Sequence, residues 1–202
     1  MKGREIVASF NLIDEKWILV IDNSGDTKEV SLKELFNNAQ NYKSLAGEMK
    51  TQDFALLRII LAILQTVFSR FDYDGNPYDY IDLDDRYRQL YDVDEDDIKD
   101  YKKDLKKTWK NLWESASFPS IVNEYLDMWH DRFYLFDDKY PFMQVTESEF
   151  RSDIYVRGEL SNPSIVGFKT INRTINESGN KTSLFSPRQK SNKDSLSYSE
   201  LS

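Results

Sequence analysis

The chain has 202 residues, 40% of them hydrophobic and 14% aromatic, which is enough to build a packed core and excludes a wholly disordered protein. It contains no Cys, which removes disulfides and thiolate zinc sites from consideration. The net charge is −8, but it is unevenly distributed. The stretch from Asp72 to Asp104 holds thirteen acids and five bases and so carries the whole −8, while Arg157 to Lys193 is net +5. Partners are expected to respond to those local fields rather than to the total.

The first residues show no long apolar run and no small-residue cleavage site, so no secretory signal is read. Trp17 to Ile21 suits a buried strand. Asn23-Ser24-Gly25-Asp26 suits a turn, and a return strand around Lys28 to Val30 completes an N-terminal β-hairpin. Ser31-Leu32-Lys33-Glu34 is a capping box, in which the serine hydroxyl and the glutamate carboxylate each satisfy a free backbone N–H. It opens a helix expected to run through Ala39.

Thr51 is expected to N-cap the next helix, which reaches about Ser69 with Asp53 in its first turn. Phe54 to Phe68 is apolar on nearly all sides and predicts a helix at the centre of the domain. Arg58 and Gln65 interrupt it, and it falls short of the roughly 18 apolar residues of a membrane span. The chain is therefore expected to be cytoplasmic and to have no membrane partner.

Asp72 to Asp85, with Gly75, Asn76 and Pro77, reads as an exposed loop. Asp94 to Glu114 reads as a charged helix with Ile98, Leu105, Trp109, Leu112 and Trp113 largely on one stripe, and Ser120 to Met128 as a shorter helix. After Glu149 the apolar residues thin out, with short strands expected at 165–168 and 171–175. Ser197-Tyr198-Ser199-Glu200 is a second capping box. A helix of two or three residues cannot nucleate, so the sequence reads as a fragment ending where a helix begins.

The chemistry on offer is limited. His130, the single histidine, lies between Trp129 and Asp131 and is expected to be a partner-bonded structural residue. Asp72-Tyr73-Asp74-Gly75-Asn76 begins like a calcium loop, but its glycine comes too early and the closing glutamate is missing. Acids crowding a helix start are expected from the helix dipole. No phosphate-binding, dinucleotide, nucleophile-elbow or zinc-protease motif occurs. No catalytic residue, metal ligand or cofactor is assigned. The strongest candidate is 169–190, where Lys and Arg can neutralise phosphates while Asn and Thr can reach phosphates or base edges.

Several phrases in chain order resemble a known family. They are FNLIDEKWILV with EVSLKELF, then LAGEMKTQDFALLRIILAILQ, then WHDRFYLFDDKYPFMQV, and finally NKTSLFS with SLSYSE. Together they are similar to the N-terminal part of the large subunit of the type I-E CRISPR Cascade surveillance complex, the CasA family. The resemblance implies a nucleic-acid-binding subunit without nuclease activity of its own. Its implied partners are guide RNA, double-stranded target DNA, the other Cascade subunits and a helicase-nuclease. Its implied tasks are binding the guide-RNA handle, reading the protospacer-adjacent motif and starting duplex opening. The family's first nucleic-acid loop falls near 171–182 by motif order.

On charge and motif position together, Lys169, Arg173, Lys181 and Arg188 are candidate phosphate contacts, and Asn172 and Asn180 candidate base or sugar contacts. The zinc site of some relatives is not carried over, because the chain has no Cys. The expected fold is a mixed α+β domain over residues 1–202, with an N-terminal hairpin, a central apolar helix and a polar loop region. The family's C-terminal helical bundle lies beyond this chain. Two other readings stand beside this one: an acidic protein-interaction module built on 72–104, and a carboxylate-dependent metal enzyme using Asp84 and Asp85.

Overall fold

The computed structural model describes residues 9–47, 50–144 and 197–198. The chain divides into two units, Met1–Gln144 and Val145–Ser202, and the architecture below is that of the first. It contains helices and two small antiparallel sheets, an α+β fold as the sequence predicts.

Strand β1 (Ser9–Asn11) leads through buried Leu12 and Ile13 to β2 (Ile18–Asp22) and β3 (Thr27–Val30). β2 and β3 form the expected hairpin, in register from Ile18 opposite Val30 to Ile21 opposite Thr27. In β2, Ile18, Val20 and Asp22 point inward and alternate with half-exposed Leu19 and Ile21, the two-residue period of a one-sided strand.

The capping box opens α1 (Leu32–Asn37) as read. The Glu34 N–H donates to Ser31 Oγ, and the Ser31 N–H donates to Glu34 Oε2, both at 3.1 Å. The helix stops two residues earlier than expected and passes through a 3₁₀ turn (Ala39–Asn41) into β4 (Tyr42–Leu45). No strand is expected there from the sequence. β4 is short and mostly polar, and it gains its place by pairing with the free edge of β2.

Helix α2 (Lys50–Phe68) already includes Lys50, so Thr51 is not its N-cap. Asp53 serves the helix start instead: its Oδ1 accepts the Gly47 N–H at 2.8 Å and its Oδ2 meets Lys50 Nζ at 2.8 Å. The ion pair with Lys50 and the hydrogen bond from Gly47 hold this carboxyl below the usual range against the opposing effect of burial.

The expectation that α2 is wholly central is corrected. Ile63, Leu64, Val67 and Phe68 are buried, but Phe54 and Leu57 in the first half and Leu61 just past the midpoint are exposed, Phe54 at 63%. By length and composition the helix is also long and apolar enough to cross a bilayer. Its C-terminal half instead lies in the core with Leu12, Ile18, Val20, Leu32, Phe36 and Leu126.

Helix α3 (Ile98–Ser115) begins four residues later than read, because the Asp97 and Ile98 N–H groups first close a turn onto the Asp94 carbonyl. Helix α4 (Ile121–Met128) follows, and β5 (Tyr134–Phe136) returns to pair with β1, with Asn11 opposite Tyr134. The strands expected at 165–168 and 171–175 lie outside the described residues.

Candidate nucleic-acid interface

The six candidate contacts, Lys169, Asn172, Arg173, Asn180, Lys181 and Arg188, all lie outside the described residues, and the structure neither assembles nor separates them. What it does describe is the acidic segment 72–104, and its first part is not the exposed loop the composition suggests. Tyr78 and Ile81 are buried, and Phe71 faces Tyr87 edge-on at 5.0 Å.

The acids there serve local backbone geometry, in a device that appears three times among the described residues. The Asp22 N–H donates to the Asp26 carbonyl, its Oδ1 accepts the Asp26 N–H at 3.0 Å, and its carbonyl accepts the Gly25 N–H. Asp72 repeats this with Asn76 and Gly75, and Asp84 with Arg88 and Tyr87. In each turn the fourth residue has positive φ: 92° at Gly25, 83° at Gly75 and 60° at Tyr87. An aspartate folds back on its own turn, and the left-handed residue brings the two flanking arms antiparallel.

The resemblance of Asp72 to Asn76 to a calcium loop is thus that of an aspartate-headed turn. Among the described residues, no three or more His, Asp or Glu side chains converge as a metal-ligand set. Hydrogen bonds from the Arg88 N–H and side chain and from the Arg86 N–H hold the Asp84 carboxyl below its ordinary value despite the opposing desolvation.

Arg86 anchors the third turn to the end of α4, while Arg88 pairs with Asp84 inside the turn. The Arg86 guanidinium lies 4.2 Å from the centre of the Trp129 ring, donates to the Met128 carbonyl at 3.0 Å and meets Asp131 Oδ1 at 2.6 Å. In return the Trp129 indole N–H donates to the Arg86 carbonyl at 3.1 Å. Between the second turn and α3 lies a cleft of about 280 Å³, lined by Asp72, Asp74 and Asp79 on one side and by Asp104, Lys107 and Asn111 of α3 on the other.

His130 is partner-bonded, as expected. Its Nε2 is 2.7 Å from Asp14 Oδ2, and its Nδ1 is 3.3 Å from the Asn11 amide nitrogen, which also donates to the His130 carbonyl at 2.9 Å. An amide donor at Nδ1 places the ring proton on Nε2, toward the carboxylate. Tyr134 meets the ring edge-on. The histidine therefore fastens the start of the chain to the segment after α4.

Helix α3 sorts its charges by face, which the sum of charge over 72–104 does not reveal. Trp113, expected on the apolar stripe, is 87% exposed, and Trp109 is partly exposed. Thr108 and Leu112 are the buried positions of this helix. The six lysines of α3 are all exposed. A helical wheel over 98–115 carries this signal, which net charge over the longer acidic segment conceals.

The model of the family described as CRISPR-associated protein Cse1 matches residues 11–201. Among solved structures, the chain is similar to Thermobifida fusca Cse1, with 30% identity over 69% of this chain and 21% of that one and a TM-score of 0.49. It is similar to Thermus thermophilus CasA (Cse1) at 24% identity, over 70% and 23% of the two chains, with a TM-score of 0.49. It is also similar to Cse1 from Acidimicrobium ferrooxidans at 24% identity, over 72% and 22%, with a TM-score of 0.48. No curated protein matches the chain significantly. The chain spans between a fifth and a quarter of the length of these solved relatives. Because the family's model matches nearly the whole of the sequence, the chain belongs to the CRISPR-associated protein Cse1 family.

Proposed function

We propose that this chain is the N-terminal part of a Cascade large subunit that binds guide RNA and target DNA and has no nuclease activity of its own. The observation that carries the reading is the family match over residues 11–201. The basic, Asn-rich stretch 169–190 supports it. Lys169, Arg173, Lys181 and Arg188 supply phosphate-neutralising charge, and Asn172 and Asn180 can reach base or sugar edges. Within such an assembly, guide pairing reads the sequence while the protein reads the short protospacer-adjacent motif and recruits the helicase-nuclease.

The test assembles full-length Arg173→Ala and Asn172→Ala variants into the complex and measures target binding across salt and across motif variants. Loss of a phosphate contact weakens binding to every sequence and flattens the log-affinity against log-salt slope by about 0.9 on duplex DNA. Loss of a base-edge contact changes discrimination at one position by about 1–3 kcal/mol. Parent-like binding by both, and by Lys181→Ala and Asn180→Ala, rejects 169–190 as the contact. Metal-dependent cleavage by the pure subunit, abolished by a point mutation in this chain, rejects the non-nuclease role.

A further inference from the structure

Helix α3 carries six lysines against three acids, and it distributes them by face. Lys99, Lys103, Lys106 and Lys110 recur at intervals of four, three and four residues, so they lie along one side of the helix, with Lys102 next to them. At 1.5 Å per residue, the first and last are about 16 Å apart along the axis. All five are exposed. Lys110 meets Glu114 at 3.6 Å, and the other four form no ion pair among the described residues.

The opposite side is committed to the fold. Thr108 and Leu112 are buried, and the Tyr101 hydroxyl donates to the Ser69 carbonyl at 2.7 Å. Asp104 lies apart from the lysines, accepting from the Tyr80 hydroxyl. Trp113 stands at the far end of the stripe, 87% exposed.

This arrangement works against the helix. Lys99 and Lys103, Lys102 and Lys106, Lys103 and Lys107, and Lys106 and Lys110 are like charges four residues apart, each pair destabilising the helix. Lys99 also sits in the first turn, the end where the helix dipole disfavours a cation. A basic face made only for solubility would alternate its signs. A polyanion laid along this one would relieve the repulsions among the stripe lysines, while Lys107 faces the acid-lined cleft.

The spacing suits a nucleic-acid strand, since about 16 Å corresponds to roughly five phosphates at 3.4 Å per nucleotide along a duplex. A membrane surface fits less well. An interfacial helix inserts a broad apolar face opposite its charged one, and here the opposite face is used by the core. We propose that the α3 lysine stripe binds a nucleic-acid backbone, with Trp113 as a base-stacking platform at its end. This extends the reading above to a second surface, and it stands on the charge and spacing of α3 rather than on 169–190.

The experiment uses the full chain, a fluorescein-labelled mixed-sequence single-stranded DNA, the matching duplex, and phosphatidylcholine vesicles with and without phosphatidylserine. The Lys99→Gln, Lys103→Gln, Lys106→Gln triple variant is expected to bind the single strand at least several-fold more weakly at low salt. Its log–log salt slope is expected to flatten by about 2, at roughly 0.7 per phosphate contact. Arginine at the same three positions restores both. Trp113→Ala weakens single-strand binding roughly tenfold.

Circular dichroism and thermal melting check folding. If the triple variant does not fold, Lys103→Gln alone decides by a slope change of about 0.7. Unchanged affinity and slope overturn the proposal. So does an equal loss in the Lys16→Gln, Lys43→Gln control, or binding to anionic vesicles without binding to DNA. Parallel alanine variants at Lys169, Arg173, Lys181 and Arg188 separate the two surfaces: if only they lose DNA binding, the stripe is rejected and the reading of 169–190 stands.

Discussion

Tyr78 donates its hydroxyl proton to Thr108 Oγ1 across 2.7 Å, in a buried contact that joins the acidic segment to α3. The two residues are thirty positions apart. Tyr101 closes the contact from one side, edge-on to the Tyr78 ring at 5.6 Å. Tyr78→Phe keeps the ring but strands the Thr108 hydroxyl, and should cost about 1–2 kcal/mol by urea unfolding.

The same contact sets an alkaline limit. Burial, partly offset by the hydrogen bond to Thr108, pushes the Tyr78 phenol up to about 12. Below its unfolded value near 10 the group is protonated in both states and its contribution is fully present. Between about pH 10 and 12 the unfolded chain loses this proton while the folded chain keeps it, so stability falls as pH rises. Burial also raises Tyr101 and Tyr125. Tyr78→Phe should therefore shallow the decline in melting temperature above pH 10 without abolishing it.

The aspartate-headed turns predict an acid limit and a discrimination from metal binding. Hydrogen bonds depress the carboxyls of Asp22, through Lys28 and the Asp26 N–H, and of Asp84, through Arg88. A carboxyl with a lowered folded value contributes stability above its unfolded value, and that contribution is lost as pH falls through the folded one. Melting temperature should drop as pH is lowered below about 4, and Asp84→Ala should lower it at neutral pH while removing part of the acid dependence. Added Ca²⁺ or Mg²⁺ should shift neither protein. A cation-dependent rise in the parent that Asp84→Ala abolishes would show the turn to be a ligand loop.

Gly25 and Gly75 both need the left-handed region. A Cβ at Gly25 meets no atom within 4 Å, so Gly25→Ala isolates backbone strain. It should destabilise by about 1–2 kcal/mol. At Gly75 a Cβ would stand 3.4 Å from Ile121 Cβ, an ordinary contact, so Gly75→Ala should cost a similar amount. Two near-neutral variants in chemical denaturation would contradict the turn geometry.

The two halves of α2 should respond differently. Leu64→Ala removes a buried side chain and should cost about 2–5 kcal/mol. Leu57→Ala removes an exposed one and should stay within about 0.5 kcal/mol. Equal losses in matched unfolding curves would mean that the first half of the helix is covered.

The sequence by itself determined the parts of this protein that depend on neighbours along the chain. The Ser31 and Glu34 cap is reciprocal over three residues, and the β2–β3 hairpin turns on Asp22 to Asp26; both were legible because their partners lie within a few positions. The family was legible from ordered phrases, and the candidate contacts at 169–190 rest on the sequence alone. Tertiary structure decided the rest. An apolar pattern around all of α2 cannot say which half meets the core, because burial depends on where the other elements settle. Nothing local pairs β1 with β5, joins Asn11 to His130 across 119 positions, or lays Arg86 on Trp129. Those contacts form because folding selects among many competing distant partners by their combined packing and polar satisfaction. A linear sum of charge likewise hides a face: the spacing along α3 puts most of its lysines on one side, and the tertiary structure decides that this side faces outward while Leu112 packs inward.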